Sequence, residues 1–351
     1  MPSATDALGR TVTLEHPPQR VVSLVPSVTE AVASLGQGRS LTAVTKFCAE
    51  PADLTAALRK IGGTKDPDIE AITALQPDLV LANVEENRRQ DVQALIDAGL
   101  TVFVGYPRTV VEAVDEFQTI GDLLGAPASP RVVNDMREAV ERQRTLNETR
   151  PTVRVFCPIW RNPYMAIAGD TYSGDLIRLA GGENVFESHT SDSRYPQVTL
   201  KEIQAADPQV ILLPDEPFRF RPRHRDELKA LSEINAVRAD RLFLCDGRWL
   251  TWYGPRIAEG LESIEKLLDR ARPEWKAPTD LPVVSERRHR AANKRASTST
   301  RSTKKKKAAP TSTPHPRQAP KPRITPGEEP PLPPGLRFNV DAPDVVDEQR
   351  R

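Results

Sequence analysis

The stretch SPRVVNDMREAVERQRTLN, residues 129–147, predicts one long helix near the middle of the chain. Ser129 is a suitable N-cap, and Pro130 suits the first helical turn. The helical period places a mostly apolar face on one side and charged residues elsewhere. At 1.5 Å per residue the helix would be about 27 Å long, roughly the breadth of a small domain. The face comprises Val132, Met136, Ala139, Gln143 and Leu146.

Two similar segments flank this helix. PDIEAITALQPDLVLA (67–82) precedes it, and PQVTLKEIQAADPQVILLP (196–214) follows it. Each segment predicts a short helix, a proline turn and a buried strand. With the βαβα alternation around them, they predict an α/β protein of two lobes with mostly parallel sheets, joined by the long helix rather than by a flexible linker. The matched pairs are Ile72 with Ile203, Ala74 with Ala205, Pro77 with Pro208 and Val80 with Ile211.

The chain of 351 residues has room for two domains of ordinary size. We expect an N-terminal α/β lobe over 1–125, the connecting helix over 126–148 and a C-terminal α/β lobe over 149–272. Residues 273–351 become basic and rich in proline, with too few apolar residues to fold alone, and are predicted to form a disordered tail.

Helix signals also occur at the start of the chain. The segment RVVSLVP (20–26) predicts a buried strand. Ser27 follows it as the expected cap of a helix, with Glu30 in the capping-box position and Gly36 as the stop.

Composition and charge exclude several classes of protein. The net charge of +1 gives no electrostatic case for nucleic acid, and the lysine run at 304–307 has no aromatic neighbours that would stack on bases. The three widely spaced cysteines argue against a disulfide framework. The first residues show neither a basic n-region nor a long apolar h-region, so the sequence as written predicts a cytoplasmic protein. We expect a monomer.

The sequence lacks the common catalytic signatures, namely a phosphate-binding loop, HExxH, GxSxG and paired CxxC. Its five histidines are scattered, so we expect no metal centre and no covalently bound cofactor. Cys48 follows a predicted strand, where ligands of open α/β sheets bind, but it is also typical of a small buried residue.

Aromatic side chains are scarce, yet most of them follow a predicted strand or lie in a predicted loop, accompanied by positive charge. Facing strand ends would bring these loops together across a cleft. Rings would stack on a large, flat, partly anionic ligand, and cations would hold its acidic groups. Packing beneath the loops is the alternative for each ring. The aromatic residues are Phe47, Tyr106, Trp160, Tyr164, Tyr195, Phe218, Trp249, Trp252 and Tyr253, and the cations are Lys46, Lys65, Arg108, Arg161, Arg194, Arg248 and Arg256.

Between Arg20 and Leu268 the chain resembles the class III substrate-binding proteins of ABC importers, the helical-backbone receptors for metal chelates, and among them the cobalamin-binding proteins. The resemblance lies in RVVSLVPSVTEAVASLG (20–36), GGTKDPDIEAITALQPDLVLA (62–82), GGENVF (181–186), YPQVT (195–199) and GPRI (254–257). It implies two α/β lobes joined by one long helix, with the ligand held between them. Ligands in this family include cobalamin, haem and ferric siderophores.

The resemblance also implies residue roles. Phe47 stands where cobalamin binders have a tyrosine against the ligand, and Tyr195 and Trp249 stand at ring positions that contact the corrin. Thr64 replaces an aromatic residue of the better-known cobalamin binders. The complete candidate set for ligand binding is Pro26, Ser27, Phe47, Cys48, Lys65, Trp160, Arg161, Tyr164, Tyr195, Phe218, Trp249, Trp252, Tyr253 and Arg256.

In the importers, one acidic residue per lobe docks onto the membrane partner. Glu70 matches the first position, whereas the second is Lys201 with Glu202 beside it. Glu70 and Glu202 are therefore the candidates for docking onto an importer permease.

The leading hypothesis is a non-catalytic protein that binds a metal chelate, most of all a corrinoid such as cobalamin, for an importer or as a cytosolic carrier or sensor. Haem or a ferric siderophore is the alternative ligand. A second hypothesis is an enzyme of corrinoid salvage, with Asp215, Glu216 and Cys48 as candidate reactive groups. A third is an interaction protein that uses its tail as a tether.

Overall fold

The computed structural model describes residues 1–126, 130–189 and 193–278. Ser129, the expected cap of the long helix, and the predicted tail from residue 279 onwards lie outside the described residues. Within the described ranges, no helix combines the length and the apolar character needed to cross a bilayer.

The N-terminal half forms a five-stranded parallel sheet in the order β5-β4-β3-β6-β7, preceded by the antiparallel pair β1-β2. The residue after each central strand leads into a loop at the same edge of the sheet, as parallel topology requires. The strands are β1 (Ser3–Thr5), β2 (Thr11–Thr13), β3 (Val21–Ser23), β4 (Leu41–Val44), β5 (Arg59–Lys60), β6 (Leu79–Asn83) and β7 (Val102–Gly105), and the helices are α1 (Pro26–Ser34), α2 (Ala52–Thr55), α3 (Ile69–Ala74), α4 (Arg89–Asp97) and α5 (Val110–Leu123).

The C-terminal half forms a four-stranded parallel sheet in the order β11-β8-β13-β14, with a small antiparallel sheet in the order β12-β10-β9. Together with the first sheet it confirms the predicted α/β class. The strands are β8 (Val153–Phe156), β9 (Pro158–Trp160), β10 (Tyr164–Ala166), β11 (Gly182–Asn184), β12 (Gln197–Val198), β13 (Val210–Pro214) and β14 (Leu242–Cys245), and the helices are α6 (Pro130–Asn147), α7 (Tyr172–Leu179), α8 (Leu200–Ala206), α9 (Pro222–Leu228), α10 (Asn235–Arg238), α11 (Arg248–Thr251) and α12 (Ile257–Asp269).

The two repeated segments adopt the same structure. The helix of each copy buries one isoleucine completely, Ile72 in α3 and Ile203 in α8. Each helix is followed by a residue with positive φ, Gln76 at 46° and Asp207 at 40°, directly before the proline. A left-handed residue is a common way to end a helix, because it turns the chain back towards the following strand.

The long helix α6 buries the predicted apolar face, with the buried side rotated slightly from the expected one. Met136, Ala139 and Leu146 are buried as expected, and Val133 and Val140 join them, whereas Val132 is only partly buried. This face packs against α5, α7 and α12, and one hydrophobic core runs through all four helices. The shared core restricts movement at the joint between the lobes. The predicted residue boundaries of the lobes stay a prediction.

The start of α1 differs from the expectation. Helix α1 begins at Pro26, and its N-cap is Val25, which contributes no side-chain cap. Ser27 lies inside the first turn and is buried. The predicted capping box is therefore wrong, because proline already supplies the φ angle that the first turn requires. This leaves Glu30 available for another partner.

Truncation of the buried face of α6 tests the shared core. Because Met136 is 1% exposed, Met136→Ala should lower the free energy of unfolding by about 2–5 kcal/mol. Glu138→Ala, on the exposed face of the same helix, should change it by less than about 0.5 kcal/mol. Chemical denaturation measures both variants, and equal losses would show that α6 does not form the core of the joint.

Candidate functional site

The carboxyl ends of the two large sheets are joined by charged pairs between the lobes. Arg248 Nη1 lies 3.3 Å from Glu50 Oε1, and the Arg194 guanidinium pairs with the Glu85 carboxylate. Glu50 follows β4 and Glu85 follows β6, on opposite sides of the central strand β3. We call the surface between these two pairs the interlobe cleft.

Glu85 has several partners. The Tyr195 hydroxyl donates to its carboxylate at 3.1 Å, and the Lys65 ammonium donates to its backbone carbonyl at 2.6 Å. The Arg194 guanidinium also lies over the Tyr106 ring, 4.9 Å from the centroid. Desolvation raises the pKa of Glu85, and the charge of Arg194 opposes the shift. Lys65 and Tyr195, both predicted site residues, thus meet at one border of the cleft.

The predicted cationic contacts hold protein carboxylates. Arg256 donates to both oxygens of Glu30, at 2.6 and 2.7 Å, which forms a third link between the lobes. The Arg161 guanidinium lies 2.7 Å from Glu227. Four of the arginines that were expected to meet a ligand's acidic groups are therefore paired with carboxylates of the protein, namely Arg161, Arg194, Arg248 and Arg256. Arg108 is exposed and lies over the Tyr106 ring.

The aromatic candidates divide into three positions. Phe47 is 36% exposed, with the Lys46 ammonium 5.2 Å from its ring centroid. Trp249 is partly buried and donates to Glu259 at 3.2 Å. Trp252 and Tyr253 are buried, at 8% and 9% exposure, so their rings mainly support the loop after β14.

The remaining aromatic candidates form a cluster within the C-terminal lobe. The Trp160 and Phe218 rings meet edge to face at 5.4 Å, and Tyr164 meets Phe156 at 6.5 Å. Trp160 and Tyr164 flank the turn between β9 and β10, which sequence analysis had treated as a loop. These rings therefore pack against other rings of the lobe, which is the alternative to ligand stacking given above.

Three predicted site residues lie after β3 and β4, and two of them are buried. Cys48 is 1% exposed, and its Sγ lies 3.1 Å from the hydroxyls of Thr29 and Thr45. Burial raises the pKa of the Cys48 thiol, which disfavours the reactive thiolate. Ser27 is 4% exposed, and Pro26 is partly exposed. The three cysteines of the chain, Cys48, Cys157 and Cys245, are buried free thiols.

A buried polar group lies beneath the cleft. The amide of Tyr106 donates to Glu116 Oε2 at 3.0 Å, and a Cβ at Gly105 would collide with Glu116 Oε1. The Tyr253 hydroxyl accepts from Asn83 Nδ2 at 2.9 Å, a contact between the lobes. Desolvation raises the pKa of Glu116 to about 8.

Two further carboxylates lie in the loops that follow β6 and β13. The Glu86 side chain is exposed, and desolvation raises its pKa. Desolvation also raises the pKa of Glu216 to about 7, with a contribution from the charge of Glu86. The Thr251 hydroxyl donates to Glu216 Oε1 at 2.9 Å.

Sequence reasoning missed Glu86 and named Glu216 only as an enzyme candidate. The repeat contained a signal for them. If its alignment is extended past the strand, ANVEE (82–86) lies beside LPDEP (213–217), and Glu85 matches Glu216. Both copies therefore place acidic residues directly after the buried strand, at the edge where ligands of α/β sheets bind.

The docking candidates lie on the repeated helices. Glu70 is exposed in the first turn of α3. Glu202 is exposed in α8, where its carboxylate accepts from the Thr199 amide at 2.7 Å and completes a capping box. These hydrogen bonds lower the pKa of Glu202. Glu202 thus already has a local role in its own helix.

Among the residues described, no group of three or more histidine, cysteine, aspartate or glutamate side chains is arranged to hold a metal ion. A cavity of about 420 Å³ lies beside α6 and α12, lined by residues such as Arg142, Glu265 and Trp275. None of the predicted ligand-binding residues lines it, so it is separate from the interlobe cleft.

Two α/β lobes with facing strand ends and one helix between them form the architecture of a substrate-binding protein. Residues 21–248 match the periplasmic binding protein family, and the chain belongs to that family.

Comparison with individual proteins supports this assignment. The vitamin B12-binding protein of Vibrio cholerae is 25% identical over 249 residues, which cover 71% of this chain and 88% of the relative. The crystal structure of the periplasmic vitamin B12-binding protein of that organism aligns with a TM-score of 0.62 at 26% identity, over 73% of this chain and 98% of the other. A periplasmic haem-binding protein of Pseudomonas aeruginosa shares the fold, with a TM-score of 0.63 at 23% identity, over 75% of this chain and 95% of the other.

The buried carboxyl of Glu116 predicts a pH-dependent stability. Its pKa is raised from 4.5 to about 8, so the folded protein holds a proton that the unfolded chain releases above about pH 5. The free energy of unfolding should therefore fall as the pH rises from 5 to 8. Glu116→Gln removes this pH-dependent contribution. Between pH 5 and pH 8 the free energy of unfolding of the wild type should therefore fall by about 2–5 kcal/mol more than that of the variant.

Chemical denaturation at pH 5 and pH 8 measures this difference. The contributions of the other carboxylates are the same in both proteins and cancel when the two are compared. Glu138→Gln, on the exposed face of α6, should follow the wild type at both pH values. Parallel curves for wild type and Glu116→Gln would contradict the burial of this group.

Proposed function

We propose that the protein binds a metal chelate, in first place a corrinoid such as cobalamin, in the interlobe cleft and performs no chemistry on it. The observation that carries the proposal is the arrangement of the two sheets, whose carboxyl ends face each other across charged pairs between the lobes. Both the sequence relative and the solved structure from Vibrio cholerae are vitamin B12-binding proteins.

The cleft offers apolar surface at its borders. Phe47 is the most exposed ring of the proposed set, and Tyr195 lies in the other lobe, where its hydroxyl donates to Glu85. We infer that the corrin edge packs against these rings and against Trp249. Cys48 and Tyr253, both buried, support the loops from below. The other proposed contacts are Pro26, Ser27, Lys65, Trp160, Arg161, Tyr164, Phe218, Trp252 and Arg256.

The rigid joint suits a protein that binds with little closure of its lobes. The helices α5, α6, α7 and α12 share one core, so the lobes cannot swing apart without exposing apolar surface. A ligand that enters between the lobes would have to displace polar links such as Glu85–Arg194 and Glu50–Arg248. The Glu50–Arg248 pair lies near solvent and is a weak interaction, whereas Glu85–Arg194 and Glu30–Arg256 are largely shielded from solvent.

We propose delivery to an importer permease as the biological context, with Glu70 as the docking residue on one lobe. A cytosolic carrier or sensor is the other context, and the location of the protein stays a prediction. An enzyme of corrinoid salvage receives less support, because Cys48 is buried and Glu216 bonds to Thr251.

Ligand titration of the full chain tests the proposal. Cyanocobalamin, cobinamide, haem and a ferric siderophore are added in turn, with tryptophan fluorescence and ligand absorbance as readouts. Saturable corrinoid binding is expected, with unchanged ligand recovered afterwards. Phe47→Ala should weaken it by roughly tenfold, since loss of an aromatic contact costs about 0.5–1.5 kcal/mol beyond the loss of buried area.

Leu244→Ala is the matched control, because Leu244 is 39% exposed on β14 and lies outside the proposed set. It should bind as the wild type does. No saturable binding of either corrinoid, or equal effects of the two substitutions, would overturn the assignment of ligand and cleft.

A further inference from the structure

The cavity beside α6 and α12 lies at the joint between the lobes and has a volume of about 420 Å³. We call it the joint cavity, and its walls include Arg142, Glu265, Lys266, Arg272 and Trp275. The volume falls within the range of sites that bind small molecules. The side chains of Lys266 and Arg142 are 67% and 25% exposed, so a solute can reach the cavity from solvent.

The charged network at this cavity holds more positive than negative charge. The Glu265 carboxylate accepts from Arg142 at 2.5 and 3.2 Å, and it also lies 3.5 Å from Arg150 Nη1. The partner of Arg272 is Asp269, at 2.8 Å. Three guanidiniums thus share two carboxylates, and one positive charge has no counter-charge among these contacting groups.

Arg150 is the most enclosed of the three guanidiniums. Its side chain is completely buried, and among the described residues its Nη1 atom has no hydrogen-bond partner. The Trp275 ring, which lines the cavity, lies over the guanidinium at 6.0 Å. Burial and the like charge of Arg272 lower the pKa of Arg150, yet arginine stays charged at neutral pH. A buried cation with an incomplete counter-charge is costly, and an anion nearby would reduce the cost.

Two cations on the cavity wall have hydrogen-bond donors to spare. A guanidinium has five N–H donors and an ammonium has three. Within the described residues Arg142 makes two hydrogen bonds, both to Glu265, and Lys266 donates to Glu262 at 2.6 Å. Arg142 belongs to α6 and Lys266 to α12. A phosphate group suits such a pair, because its several acceptor oxygens can accept from both helices at once.

We propose that the joint cavity is a second ligand site, which binds a phosphate group, either as the free ion or at the end of a small organic molecule. Arg142 and Lys266 donate to the phosphate oxygens, and the negative charge of the group compensates the excess positive charge around Arg150. The bound anion links α6 to α12 and so stabilises the joint. The site is separate from the interlobe cleft and does not depend on what the cleft binds.

Calorimetric titration of the full chain with inorganic phosphate, at neutral pH and constant ionic strength, tests this site. We expect saturable binding of one ion per chain, roughly fivefold tighter than the binding of acetate, which has fewer acceptor oxygens and less charge. Lys266→Gln should weaken phosphate binding by roughly fivefold or more, because it removes a charged donor. Lys201→Gln is the matched control, since Lys201 is exposed on α8, away from the cavity, and it should bind as the wild type does.

A second substitution tests the other cavity wall. Arg142→Lys keeps a positive charge beside Glu265, so the protein should fold, but it removes the forked donors. It should also weaken phosphate binding by roughly fivefold. Chemical denaturation gives an independent readout, because a ligand of the folded state raises its stability. Phosphate should raise the denaturation midpoint of the wild type more than that of Lys266→Gln, and the general salting effect of phosphate cancels in this comparison.

Tryptophan fluorescence locates the bound ion. Of the four tryptophans, all within the described residues, only Trp275 lines the joint cavity. Trp275→Phe should remove the change in fluorescence that phosphate causes. Calorimetric affinity should stay within about threefold, because phenylalanine keeps a ring over Arg150.

The outcomes identify the source of the group or overturn the site. Tighter binding of glycerol 3-phosphate than of inorganic phosphate would assign the group to an organic ligand, and the reverse would assign it to the free ion. Heats that do not saturate, equal affinity for acetate, or phosphate binding that Lys266→Gln and Arg142→Lys leave intact would overturn the proposal. A fluorescence response that persists in Trp275→Phe would place the ion outside the joint cavity and would overturn it as well.

Discussion

The packing of α6 against α5, α7 and α12 is the constraint on which the rest of the structure depends. It fixes two sheets so that their carboxyl ends face each other, and it does so with apolar surface that no ligand can replace. A buried charged network adds specificity to this contact, since Glu265 of α12 accepts hydrogen bonds from Arg142 and Gln143 of α6. Removal of one partner would leave a buried charge uncompensated, which destabilises a protein strongly.

With the joint fixed, the polar pairs between the lobes decide what the cleft offers a ligand. Arg256 pairs with Glu30, Arg194 with Glu85 and Arg248 with Glu50, so these guanidiniums are engaged within the protein. The Phe47 ring and the side chains of Lys46 and Arg108 remain exposed. The loops that were predicted to bind acidic groups therefore keep some of their positive charge and use the rest to join the lobes.

The features that follow from local pattern were predictable. The repeat, the two parallel sheets and the long helix arise from apolar periodicity and turn residues, and each appears where the sequence indicates. The partners of charged side chains were not predictable, because they depend on contacts between distant residues. Glu30 had been assigned to a capping box three residues after Ser27, yet it pairs with Arg256 at the far end of the chain. The roles of the aromatic candidates were not predictable either. Their position after a strand does not distinguish a ring at the cleft from a ring packed beneath it.

The most direct test of the central claim is the position of the metal in a crystal of the complex. Crystals grown with aquacyanocobinamide and measured at the cobalt absorption edge would locate the cobalt without reference to the protein structure. The account predicts one anomalous peak in the interlobe cleft, between the Glu85–Arg194 and Glu50–Arg248 pairs. A peak outside the interlobe cleft, for example in the cavity beside α6 and α12, would contradict it.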